Sequence, residues 1–320
     1  MCSRPPTLQY RPNEWEFTWR SRHVFSVQED HTRNWTRGCA LMALKPETIR
    51  AWLAFSQQRR PTSSSTNAPP VPSAEAERAL SFHAVLDACT GETRSLIPIE
   101  PLVGFLRHPE AHCHLVRFPR ASPWPRLSSK AYLLPAWHTE VWPHGRASAF
   151  LFDLGASLYN KGSGGASTKW FVDEYRARGI PFDRIYAWEA TPHTDADIYG
   201  AMPDAIVDRI AYYNVPVDAA VGSKHNPWRT LRAVATPSDF VLVKIDIDNS
   251  TVEEALIAEL LEDRALAGLV DELYFEHHVL HTPMWGYGWR FLTKTNHTLA
   301  DSYDLFGRLR EMGIRAHSWV

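Results

Sequence analysis

Phe240–Asn249 reads FVLVKIDIDN. Four large apolar residues, then Lys244 and Ile245, stand between Asp239 and a pair of aspartates. A continuous apolar run of this length, rather than an alternating one, is the pattern of a strand buried on both faces, as in a parallel sheet. The segments around it agree. Upstream, Ala149–Asp153 (AFLFD) and Arg184–Trp188 (RIYAW) read as strands, and Tyr212–Val221 contains another. Downstream, Leu273–Phe275 and Ile314–Val320 read the same way. Between them lie helical patterns. Ser167–Arg178 opens on Ser/Thr and stops at Gly179. Thr251–Leu261 carries Val252, Ala255, Leu256 and Leu260 at helical spacing, with Thr251 and Glu254 placed for a capping box. Tyr303–Met312 is a third helix. Strands alternating with helices predict an α/β fold with a mostly parallel sheet and helices on both faces.

The first half has another character. Residues 1–150 carry 18 Lys/Arg against 12 Asp/Glu, whereas residues 151–320 carry 16 against 24. All four cysteines and seven of the 13 tryptophans lie in the first part. An aromatic-rich arm (1–56) leads into a Pro/Ser/Thr-rich linker (57–76), QQRRPTSSSTNAPPVPSAEA, whose composition leaves little to bury. A cap region (77–146) follows, with Ala76–Leu86 read as helical, and the α/β domain spans 147–320. The overall charge of −2 excludes a bulk-basic nucleic-acid binder. No apolar run approaches the roughly 20 residues of a membrane span, and the polar N-terminus lacks the apolar core of a signal peptide. Four cysteines without a CxxC pair form no dense disulfide framework, so a reducing, cytoplasmic setting is expected. The His/Cys knot His108, His112, Cys113 and His114, to which only Cys89 could add a ligand, matches no standard zinc spacing and reads as a partly exposed loop.

In open parallel sheets ligands bind outside the carboxyl ends of the strands, so those residues carry the functional reading. The first strand ends in Asp153-Leu-Gly155-Ala-Ser157, followed by Gly162, Gly164 and Gly165 and then a helix start. Glycines there admit close backbone approach, and a helix N-terminus offers free N–H groups, which suits a nucleotide or nucleoside; a P-loop is absent. Glu189, at the second strand end, is placed to accept hydrogen bonds from both hydroxyls of a ribose. Alternation puts Asp246 and Asp248 on the face of Lys244. Two carboxylates so close repel unless a cation, a proton or a ligand donor intervenes. Glu276 and His278, on one face after the next strand, complete a cluster suited to general-base work or to a hard divalent metal.

Five segments in this order, LFDLGAS, YAWEA, VPVDAAVGS, DFVLVKIDIDNSTVEE and ELYFEHHV, resemble the FkbM-type S-adenosylmethionine-dependent methyltransferases over residues 147–320. The resemblance implies a Rossmann-like methyltransferase fold of seven strands, the last antiparallel, beside an irregular Trp/Pro-rich N-terminal region. It implies S-adenosyl-L-methionine as cofactor. Asp153, Gly155 and Ser157 would line its methionine part, Glu189 would hold the ribose, and Asp218 to Val221, with Ala220, would lie near the adenine. Asp246 would close the cofactor or acceptor site, and Glu276 and His278 would face the reacting centre; with Asp248 these are the candidate catalytic residues, His278 or Asp246 as base and Glu276 orienting the histidine. Where the family commonly has a KIDxEG-like segment, this chain has Asp248 and Asn249 in the last two places.

The expected activity is methyl transfer to a hydroxyl or amine of a small molecule or glycan acceptor, with no nucleic-acid partner. A divalent metal on Asp246, Asp248 and Glu276 could instead acidify the acceptor hydroxyl. Two other readings stay open. Asp246-Ile-Asp248 after an apolar strand also resembles the metal-binding DxD of nucleotide-sugar glycosyltransferases. The fold can also host non-catalytic members.

Overall fold

The structure, a computed structural model, describes residues 7–22, 31–57, 74–110, 129–134, 148–161, 167–280, 289 and 297–320. Most of the 57–76 linker, the Gly162–Gly165 run and His112, Cys113 and His114 of the His/Cys knot lie outside the described residues. The chain divides into two compact units, Met1–Val141 with His277–Val320, and Trp142–Glu276. Residues 277–320 thus group with the N-terminal part, in contrast to the expected 147–320 domain.

In the first unit, β1 (Thr7–Arg11), β2 (Ser81–Leu86) and β3 (Thr93–Ile99) form an antiparallel sheet in the order β1-β2-β3. The helix expected over Ala76–Leu86 is therefore cut short. A helix covers Ala74–Ala79, and Ser81–Leu86 is drawn into strand pairing on both edges, with His83 opposite Tyr10 and Ile97. The reason for the grouping with residues 277–320 is a buried polar network. Arg310, fully buried in the helix Leu299–Glu311, donates to the Glu100 carboxylate and carbonyl, to the Tyr10 hydroxyl at 3.0 Å and to the Ala316 carbonyl at 2.9 Å. His317 Nδ1 sits 2.8 Å from Glu100 Oε2, and the Arg310 carbonyl is 3.1 Å from His83 Nε2. Glu16 Oε2 accepts from Tyr10, Ser81 and the Leu102 amide. His108 is buried, edge-on to Tyr132, rather than exposed in a loop. Cys39 is a free thiol and Cys89 is disulfide-bonded.

The second unit is the α/β part. Its strands are β4 (Ala149–Leu154), β5 (Arg184–Trp188), β6 (Ile210–Tyr213), β7 (Phe240–Ile245) and β8 (Glu272–Phe275). They lie in the order β6-β5-β4-β7-β8, and every pairing among them is parallel. Each residue of β4, β7 and β8 is buried, as the continuous apolar runs predict. Among the described residues the sheet counts six strands, the sixth being Arg315–Ser318, where the resemblance implies seven. Helices fill the parallel crossovers. Thr168–Ala177 joins β4 to β5, with Ser167 at its N-cap, and packs Phe171 and Tyr175 on Tyr274 of β8. Ser250–Glu262 joins β7 to β8. Its cap is Asn249, whose side chain accepts from the Val252 amide, and not Thr251 of the expected capping box. Asparagine outcompetes the next threonine because it stands at the last non-helical position, with the first turn's free N–H groups ahead of it. No helix among the described residues is long and apolar enough to cross a membrane.

Candidate functional site

Read from β4 outward, chain order runs one way through β5 and β6 and the other way through β7 and β8. The crevice at the carboxyl ends flanking such a reversal is the ligand position of open α/β sheets. A cavity of about 440 Å³ lies there, bounded by the residues that follow β4, β5 and β7 and by Phe171 and Trp188. That volume falls within the roughly 300–1,000 Å³ of small-molecule sites.

The turn after β4 is built around a glycine. Gly155 has φ +81°, and a Cβ on it would lie 1.8 Å from the Asp246 carbonyl oxygen. No other residue fits, because the left-handed backbone and the packed neighbouring strand end both exclude a side chain. The Gly155 and Ala156 amides both donate to the Trp188 carbonyl at 2.9 Å, tying the turn to β5. Ser157 then adopts φ +50°, a left-handed conformation that a non-glycine residue takes only when held.

Glu189 is one of the groups that hold it. Its Oε2 accepts from the Ser157 amide at 2.8 Å and its Oε1 from the Thr191 amide at 2.6 Å. Each carboxylate oxygen has a second acceptor direction, so two hydrogen bonds leave Glu189 able to take two more from a ligand in the cavity it lines. The Tyr212 hydroxyl donates to the Ser157 carbonyl at 2.6 Å. Burial first, and then the carboxylates of Glu189 and Asp153, push the Tyr212 phenol above its ordinary pKa, so it remains a donor.

Lys244 accounts for the aspartates. Its ammonium is buried, 3.4 Å from Asp153 and 3.5 Å from Asp246, and donates to the carbonyls of Gly155 (2.7 Å), Leu154 (3.3 Å) and Asp246 (3.4 Å). Burial alone lowers a lysine pKa, but the Asp246 and Asp153 carboxylates reverse this and raise it above the ordinary value. Asp153 Oδ2 accepts from the Thr168 hydroxyl at 2.7 Å. Its Oδ1 is buried and has no hydrogen-bond donor among the described residues, facing only the ammonium. Asp248 lies past the end of β7 with φ +56°, so strand alternation no longer sets where its side chain points.

The structure brings Asp153, Gly155, Ser157, Glu189, Asp246 and Asp248 to one cavity. Asp218 and Ala220 are exposed and do not line it; Pro216 and Val217, just before them, do. The Asp218 carboxyl is instead spent within its own turn, where the Ala220 amide and the Ser223 hydroxyl hold its pKa below the usual range. Glu276 does not line the cavity, although one of its oxygens is within 4.8 Å of one of Asp248. His278 belongs to the other unit, where it is buried against Trp289. Lys244, Thr168 and Tyr212 had been given no role in the sequence. Only Lys244 carries a local signal, standing two residues before Asp246, whose carboxylate its ammonium faces at 3.5 Å. Comparisons of the chain with protein-family models, curated proteins and solved structures find no match.

Proposed function

We propose that the chain is an S-adenosylmethionine-dependent methyltransferase acting on a hydroxyl or amine of a small-molecule or glycan acceptor. The observation that carries this reading is the cavity at the strand-order reversal, bounded together by the Gly155–Ser157 turn and Glu189. Its donor set fits the cofactor. Glu189 keeps acceptor capacity for ribose hydroxyls. Among the described residues, four lining carboxylates (Asp153, Glu189, Asp246 and Asp248) outnumber the one lining cation, Lys244, a balance that suits a cationic ligand, and Phe171 and Trp188 offer apolar and aromatic wall. When bound, the cofactor supplies a methyl group already activated on a sulfonium.

The chain's task is then to align an acceptor with that methyl and to receive its proton. Within this unit, Asp246 is the carboxylate for the second role, held against Lys244 at the cavity wall. The metal-dependent glycosyltransferase reading needs Asp246 and Asp248 to share a divalent ion. The cation at Asp246 is the Lys244 ammonium, which works against that reading.

Thermal shift of the full chain tests the choice. S-adenosylhomocysteine is expected to raise the melting temperature, and UDP-sugars with Mn²⁺ are not. Stabilisation by the UDP-sugar alone would overturn the proposal.

A further inference from the structure

The turn that bounds the cavity is held from a place outside it. Asp153 of β4, Ala187 of β5 and Tyr212 of β6 lie in one row across the sheet, Asp153 paired with Ala187 and Ala187 with Tyr212. In-register neighbours of a parallel sheet share a face. The middle member is an alanine, fully buried, so its small side chain leaves space between the outer two. The Tyr212 hydroxyl reaches the Ser157 carbonyl at 2.6 Å, and Tyr212 itself does not line the cavity.

The Ser157 peptide is thus gripped at both ends. Glu189 takes its N–H at 2.8 Å and Tyr212 takes its C=O at 2.6 Å. Between them the residue sits at φ +50°, which a serine leaves readily when nothing restrains it. We infer that Tyr212 is a positioning residue for the ligand turn: its hydroxyl holds Ser157 left-handed and so keeps Gly155, Ala156 and Ser157 facing the cavity. The inference deepens the proposed function and rests on it for the identity of the ligand.

Three variants test it: Tyr212→Phe, Ser157→Gly and the two combined. Two readouts are used on the full chain, calorimetric affinity for S-adenosylhomocysteine and amide hydrogen exchange without ligand. Tyr212→Phe removes one hydroxyl and keeps the ring. It is expected to weaken binding about tenfold, the size of one hydrogen bond, and to speed exchange at residues 155–161 while the rest of the sheet keeps its protection. Ser157→Gly in the Tyr212→Phe background is expected to recover most of the lost affinity, because glycine adopts positive φ unaided. A merely structural tyrosine gives the opposite pattern: protection lost throughout the unit and no recovery from glycine. That pattern, or wild-type affinity and exchange in Tyr212→Phe, overturns the inference. If the wild type itself fails to bind S-adenosylhomocysteine, the methyltransferase proposal falls, and the exchange data alone decide the role of Tyr212.

Discussion

The Cα of Gly155 faces the carbonyl oxygen of Asp246 so closely that a Cβ there would stand 1.8 Å from it. This contact joins the ends of β4 and β7, the two strands beside which the cavity opens. Gly155→Ala must relieve both the clash and a φ of +81°. The left-handed backbone alone costs about 1–2 kcal/mol, and moving the Asp246 peptide costs more. Urea denaturation is expected to show a loss of at least about 2 kcal/mol, with binding of S-adenosylhomocysteine lost. Wild-type stability and affinity in this variant would contradict the described turn.

Lys244→Met removes the cation between Asp153 and Asp246. Breaking a buried pair strands the remaining charge, at a cost of about 3–5 kcal/mol. Because the folded-state pKa of Lys244 is raised, its contribution is complete below the unfolded value of 10.5 and is lost only as pH climbs through the higher folded value. Urea midpoints for wild type and variant at pH 6, 7.5 and 9 should therefore differ by a constant amount from this source. A gap that closes between pH 6 and 9 would contradict it.

Asp271, just before β8, gives a pH dependence of the opposite kind. Burial first, and then the carboxylates of Glu272 and Asp239, push its carboxyl up to about 7, against the Val241 amide that favours the ionised form. From 3.8 to about 7 the folded chain holds the proton more tightly than the unfolded chain, so stability falls as pH rises through this window and levels above it. The full shift is worth at most about 4 kcal/mol. Asp271→Asn keeps an acceptor for Val241 and removes the charge. It is expected to gain on wild type between pH 4 and pH 8 in parallel urea titrations; equal pH profiles would sink the assignment.

Glu100 is the shared partner of Arg310 and His317. Glu100→Gln retains the size but leaves the buried Arg310 without its nearest counter-charge, an expected loss of about 3–5 kcal/mol. Glu100→Gln combined with Arg310→Met should recover part of that loss, since no unpaired charge then remains at either position. An unaltered melting temperature in the single variant would show that the network does not hold the first unit together.

What could be read from the sequence followed the range of the interactions. β4, β7 and β8 announce themselves as apolar runs because each is buried on both faces. Gly155, Glu189, Asp246 and Asp248 follow from one topological rule about strand ends. Ser81–Leu86 reads as a continuation of the helix before it, with Ala84 and Leu86 suiting a helix, whereas its strand state comes from pairing on both edges, with Thr93–Ile99 and with Thr7–Arg11 over 70 residues away. Residues 277–320 looked like the end of the α/β domain because the ions that bind Arg310 and His317, Glu100 and Glu16, lie about 200 to 300 positions earlier. The resemblance implies that Asp218 lies near an adenine, but β6 ends at Tyr213 and Asp218 does not line the cavity.

Glu189→Gln is the most direct test of the account. The amide has one acceptor atom where the carboxylate has two, so it cannot hold both the Ser157 and Thr191 N–H groups and also meet a ribose. Titration calorimetry is expected to show one S-adenosylhomocysteine per wild-type chain and affinity at least about tenfold weaker in Glu189→Gln. Equal affinity in the two proteins, or no binding by the wild type, would contradict the account.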